Sequence, residues 1–158
     1  MKPVWHDDVF ACYAPMIKKL NQLVADGVVK IIKEADDIDD LVGDNPNTRP
    51  LDNALYVIFD SLTPTKSNKN GQEQEEVIGF SLVYVTKKYN FRGLSGTSVG
   101  QVLASIAKLM NGFLPYDDDG RACTLSPFVQ DRPLPIMYKN GFGYFSKRYT
   151  TTVATCAT

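Results

Sequence analysis

The chain is poor in the residues that most often carry chemistry. It has one histidine, His6, and three cysteines, Cys12, Cys123 and Cys156, with no Cys-x-x-Cys pair among them. A Ser–His–Asp or Cys–His system needs a histidine held in place by the fold. His6 stands in the terminal segment beside Trp5, where a solvated side chain is the simpler reading. Zinc needs chelating side chains at close spacing, which one histidine and three dispersed cysteines do not offer. The cysteines read as buried free thiols. Gly93, Gly96 and Gly100 are spaced wrongly for a Walker-type or Gly-x-Gly-x-x-Gly loop. No apolar run approaches the roughly 18 residues of a membrane span, and residues 1–8 do not read as a signal peptide. The expectation is a protein made and kept in a cytoplasm, with no membrane partner, metal or cofactor.

An excess of charge of one sign is missing too. Seventeen basic residues against 18 acidic ones leave a net charge of −1. Duplex binding rests on clustered Lys and Arg that neutralise phosphates, so the chain as a whole has no such footprint. The acidic residues that do cluster have simple explanations. Asp117-Asp118-Asp119-Gly120 lacks the alternating ligands of a calcium loop, and the twelfth position counted from Asp117 is Phe128 where a glutamate is required; it reads as a solvated turn. Asp36, Asp37, Asp39 and Asp40 lie opposite Ile38 and Leu41 on the polar side of an amphipathic helix. Asp60, Glu75 and Glu76 could serve a small metal-dependent hydrolase, but the Glu-x-Lys tripeptide that would complete a nuclease site does not follow.

What is present is an ordinary core: 44% of the 158 residues are hydrophobic. A chain of this length buries roughly 70% of its unfolded surface, so residues 1–158 are expected to form one domain. In residues 9–24, Val9, Tyr13, Met16, Leu20 and Leu23 recur at helical steps. Pro15 predicts either a kink or a helix that begins near it, and Asp26-Gly27 ends it. Residues 28–34 read as a strand and 35–42 as a short helix. Residues 54–59 form a compact apolar run, a buried central strand. Residues 61–73 have no apolar periodicity and are expected as an exposed hairpin loop. Residues 77–85 resume as the returning strand, 98–111 as a helix with a Ser98–Gln101 capping box, 124–129 as a short strand and 142–153 as a final strand. Residues 150–158, rich in Thr, are expected as a flexible C-terminal tail. The order predicts an α+β fold, a two-layer sandwich in which two main helices pack on a mostly antiparallel sheet.

One local patch stands out. Lys87, Lys88, Tyr89, Phe91 and Arg92 interleave basic and aromatic residues. Such a patch can hold single strands by stacking and charge. A protein contact is preferred, because aromatics and Arg are enriched at interface cores and the rest of the chain is not basic. Phe113 and Tyr116, just past the second main helix, are added as interface candidates.

Four places resemble a known family. Leu51-Asp52-Asn53-Ala54-Leu55-Tyr56-Val57 is similar to its alanine-led strand start, and Gln74 followed by Phe80, Leu82 and Val83 to its Gln-led returning strand. Met110-Asn111-Gly112-Phe113-Leu114-Pro115 is similar to its helix ending, with Phe113 in place of the usual Trp. Tyr138 and Gly141, then Tyr144 and Tyr149-Thr150-Thr151, resemble its closing aromatic strand. In order and spacing, from about residue 17 to 152, the chain resembles the phage tail-terminator proteins, in particular the branch of minor tail protein U of lambda-like phages and a Mu-type tail protein. The resemblance implies a non-catalytic virion protein of the tail or neck, assembled in the host cytoplasm. It would form a homohexameric ring at the head-proximal end of the tail, stop tube polymerisation and join the tail to the neck. Implied partners are further copies of the chain, the tail tube protein, a sheath protein and head-completion or connector proteins, with DNA only as cargo through the lumen. A connector protein of the neck is the alternative reading within structural proteins.

Overall fold

A computed structural model describes residues 7–43, 50–87 and 99–157 of the chain. Elements in order are α1 (Tyr13–Leu20), α2 (Gln22–Ala25), β1 (Ile31–Glu34), α3 (Asp39–Val42), β2 (Ala54–Asn68), β3 (Glu73–Thr86), α4 (Val99–Met110), β4 (Val129–Asp131), β5 (Met137–Lys139) and β6 (Phe142–Cys156). Pro15 is the third residue of α1, inside the first turn, where a missing N–H removes no helical bond. The first such bond runs from Met16 N–H to the Cys12 carbonyl, 3.1 Å. After a break at Asn21, the helical stretch ends in a Schellman turn: Gly27 takes φ +71°, Val28 N–H reaches Leu23 O at 2.8 Å and Gly27 N–H reaches Val24 O at 3.1 Å.

The strands form one sheet in the order β1-β2-β3-β6-β4, with β5 also on β6. β1 runs parallel to β2, joined by a connection that carries α3. All other pairings are antiparallel. The fold is therefore α+β, with a mostly antiparallel sheet. On one face Leu55, Val57, Ile78, Phe80, Leu82, Phe145 and Tyr149 meet Met16 and Leu20 of α1 and Val102, Ile106 and Met110 of α4 in the larger core. On the other face Ala54, Tyr56, Ile58, Val83, Val85 and Tyr144 pack under Leu41, with Leu134, Met137 and Phe142 at the margin. That second cover spans only one end of the sheet.

Two expectations are corrected here. Residues 61–73 are mostly exposed but are not a loop: β2 continues to Asn68 and pairs with β3 from Ser61↔Gly79 to Asn68↔Glu73. The turn is confined to residues 69–72. Pro64 is accommodated because this stretch of β2 is an edge, where no ladder donor is required, and register shifts lie beside it. Residues 150–158 are not a free tail either: β6 runs to Cys156 and pairs with β3 as far as Glu73↔Cys156, and Thr150 and Thr151 are buried. Thr is β-branched and suited to a pleated surface, so the Thr-rich end is strand. Smaller shifts concern the one-turn α3 and the strand expected at 124–129, which falls at Val129–Asp131. Ser98 of the expected capping box lies outside the described residues.

Candidate interaction surfaces

Of the expected interface residues, Lys87, Phe113 and Tyr116 lie among the described residues. Lys87 is exposed; its N–H donates to Asp52 Oδ1 at 2.7 Å and its Nζ lies 5.1 Å from the Phe142 ring centroid. Lys88, Tyr89, Phe91 and Arg92 lie outside the described residues. Phe113 packs within the subunit: its ring stacks on Phe128 at 6.2 Å and 9°, and Lys19 Nζ stands 5.4 Å from its centroid. Tyr116 is exposed and forms an isolated antiparallel bridge with Ala122.

The family-like segment 110–115 is a joint between α4 and the sheet. Gly112 N–H donates to Phe128 O at 3.0 Å and Phe128 N–H to Phe113 O at 2.8 Å. Asn111 Oδ1 accepts from Tyr149 Oη at 2.8 Å and Gln130 Nε2 at 3.0 Å. Gly112 takes φ +72°, which favours glycine at this place.

Of the acidic residues considered for metal chemistry, Asp60 is held in an ion pair. On the sheet face away from α1 and α4, Arg148 reaches from β6 across β3 to Asp60 of β2. Its Nη2 is 3.0 Å from Asp60 Oδ1 and its Nε 3.1 Å from Asp60 Oδ2, and its Nη1 donates to Asp131 of β4. Ser61 Oγ at 2.7 Å and Ser81, which donates to Asp60 Oδ2 at 2.5 Å, complete the ladder. The Asp60 hydrogen bond holds the guanidinium pKa above its ordinary value. Glu75 and Glu76 pair further along the ribbon, opposite Lys66 and Pro64. In the acidic turn, Asp117 Oδ1 accepts from Arg121 N–H at 2.8 Å and Asp119 N–H at 3.0 Å, which lowers its pKa, the Arg121 N–H foremost. Asp40, expected on a solvated face, is buried; it accepts from Asp36 N–H at 2.9 Å while its own N–H donates to Asp37 at 2.9 Å. Among the described residues no cluster of three His, Cys, Asp or Glu could hold a metal ion. Cys156 is exposed and does not fit the buried-thiol expectation, whereas Cys12 and Cys123 are buried.

Two surfaces that sequence reasoning missed lie at opposite edges of the sheet. At the β1–β2 edge, β1 stops pairing at Glu34↔Val57, and an open groove of about 330 Å³ follows, lined by Phe10, Tyr13, Val57, Phe59, Phe80, Glu34 and Asp36. Phe10 stands edge-on to Phe59 at 4.8 Å, both partly exposed. Tyr13 Oη donates to Glu34 at the rim, and burial together with that carboxylate pushes the phenol pKa up. At the far edge, the connector from β4 to β5 carries Arg132 and leads into Ile136 and Tyr138, exposed by 58% and 53%. Only spatial assembly joins Phe10, Glu34 and Phe59, so no local pattern announced the groove.

A comparison with curated proteins returns no match. A family model described as phage tail terminator protein matches residues 7–156 of the 158. The match takes in every element described above, including the α4–sheet joint and the long closing strand, and the chain belongs to the phage tail terminator family, a structural component of the virion tail.

Proposed function

We propose that the chain assembles with copies of itself into a ring, six subunits round, that caps the tail tube at its head-proximal end. There it stops polymerisation and offers its outer face to head-completion or connector proteins, and to a sheath protein where one is present, with DNA passing through the lumen as cargo. The observation that carries this reading is the family match over nearly the whole chain. The two unlike surfaces on opposite sheet edges support it. Unlike patches that meet head to tail generate a closed ring when the rotation per subunit allows, whereas a self-complementary patch stops at a dimer.

The test has two parts. Purified protein imaged by negative stain should show rings, and adding it to polymerising tube protein should give shorter tubes with a density at one end. Tubes of unchanged length without a terminal ring would reject the capping role.

A further inference from the structure

The groove beside β2 is apolar on its floor and acidic on its rim. Phe10, Val57, Phe59 and Phe80 supply the floor, and Glu34 and Asp36 the rim. Beyond the groove, the outer edge of β2 is a poor template for another strand. Its register shifts between Phe59 and Ser61 and again between Pro64 and Lys66, and bulges, Pro and Lys are the devices that discourage edge pairing. What the edge offers a partner is a slot for side chains.

We infer that this groove receives Ile136 and Tyr138 of a neighbouring copy of the chain, with Arg132 of that copy against Glu34 and Asp36. The inference rests on the ring reading above and names the surfaces that make its subunit contact. Ile136 and Tyr138 are two residues apart in an extended segment, so they project to one side, and both are more than half exposed. Pro133 and Pro135 fix φ in the connector that presents them, which lowers the ordering entropy lost on docking. Groove and knob lie on opposite edges of the same sheet, on β1–β2 and on β5–β6, so a second copy is needed to bring them together.

Charge decides the direction of the contact. A two-fold pairing of groove with groove would set Glu34 and Asp36 against their own copies, which like-charge repulsion disfavours. A head-to-tail pairing sets them against Arg132, whose guanidinium suits carboxylates.

Sedimentation velocity on single variants and their mixture tests this. Ile136→Glu spoils the knob and leaves the groove; Phe59→Asp spoils the groove and leaves the knob. Each alone should lose the ring, with association weakened about tenfold or more, as for loss of an anchor side chain. An equimolar mixture should give a discrete dimer, because one intact groove meets one intact knob and the next contact is broken on both sides. Circular dichroism checks that Phe59→Asp is folded. Should it unfold, Glu34→Lys/Asp36→Lys replaces it, and adding Arg132→Glu to that variant should restore association. A ring that persists unchanged in Ile136→Glu overturns the inference while leaving the ring reading intact. So does a mixture that stays monomeric. Loss of tube-protein binding with the ring preserved would show that the groove serves a different protein and overturns it equally. Wild-type protein that is monomeric both alone and with tube protein would sink the ring reading itself.

Discussion

Gly79 shows how one residue sets a network. A Cβ built there would stand 2.5 Å from both Arg148 Nη2 and Ser61 Oγ and 2.8 Å from Asp60 Oδ1. The guanidinium can cross β3 only because that position is bare, and in crossing it ties β2, β6 and β4 together. Gly79→Ala should lift Arg148 away from Asp60. Because the clashing atoms end flexible side chains, the strand itself should survive. The expected loss is about 1–2 kcal/mol, the scale of a charged hydrogen bond exchanged for solvent, read as a lower urea midpoint with an unchanged slope. An unaltered midpoint would mean that Arg148 contributes nothing to stability. A glycine inside the 77–85 apolar run is visible in the sequence, and glycine in a strand often marks a close approach. That the visitor is Arg148 is not visible, because strand pairing alone makes them neighbours.

At the scale of elements, legibility followed hydrophobic periodicity. The helical steps ending at Leu20 and Met110, the apolar run from Ala54 and the alternation of Ile78, Phe80, Leu82 and Tyr84 were all readable, because each has one side against the larger core. The ribbon of β2 and β3 from residue 61 to 76 was not. Its outer residues are exposed on β2 and only half-buried on β3, so neither face demands alternation, and Pro64, Asn68, Asn70 and Gly71 mimic a loop. Asn140-Gly141 is a stronger cue: with φ +53° and +80° it closes β5 onto β6 as a two-residue turn of the type Asn-Gly favours. The candidate interface was less legible still. Of the residues expected there, Phe113 packs within the subunit, and the groove on the β1–β2 edge draws on residues from four separate segments.

The turn at the tip of the β2–β3 ribbon can be shortened without changing the register. In the turn, Lys69, Asn70 and Gly71 all have positive φ, and the exposed Lys69 pairs with Glu73. Replacing residues 69–72 by Asn-Gly preserves the Asn68↔Glu73 register with a favoured hairpin turn, and the lost surface pair is worth little. The thermal midpoint should stay within a few degrees of wild type. Deleting residues 61–73 removes the partner of β3 along the ribbon and should instead give protein that aggregates or melts far lower in calorimetry. A deletion variant as stable as wild type would return the segment to a dispensable loop.

For the molecule as a whole, the layer of helices is fastened to the sheet by groups that must stay uncharged. Cys12, just ahead of α1, is fully buried, and burial foremost, with the neighbouring Cys123, pushes its pKa from 9.0 to about 12. Tyr149, fully buried in β6 under α4, has its phenol pushed from 10.0 to about 12 by burial. In both cases the folded-state pKa lies above the unfolded one, so the unfolded chain loses its proton first as pH rises. The stability tied to the neutral thiol is fully present below pH 9.0 and lost as pH climbs to about 12; that of the phenol is lost between 10.0 and about 12. Urea midpoints measured from pH 8 to 12 should therefore fall, starting with the thiol. Cys12→Ala lowers stability at neutral pH through the small cavity it leaves, yet its midpoint should decline less between pH 9 and 10 than that of wild type. Tyr149→Phe gives up the bond to Asn111 and should flatten the decline above pH 10. Parallel declines in all three proteins would place the alkaline sensitivity elsewhere than in the contact between helices and sheet.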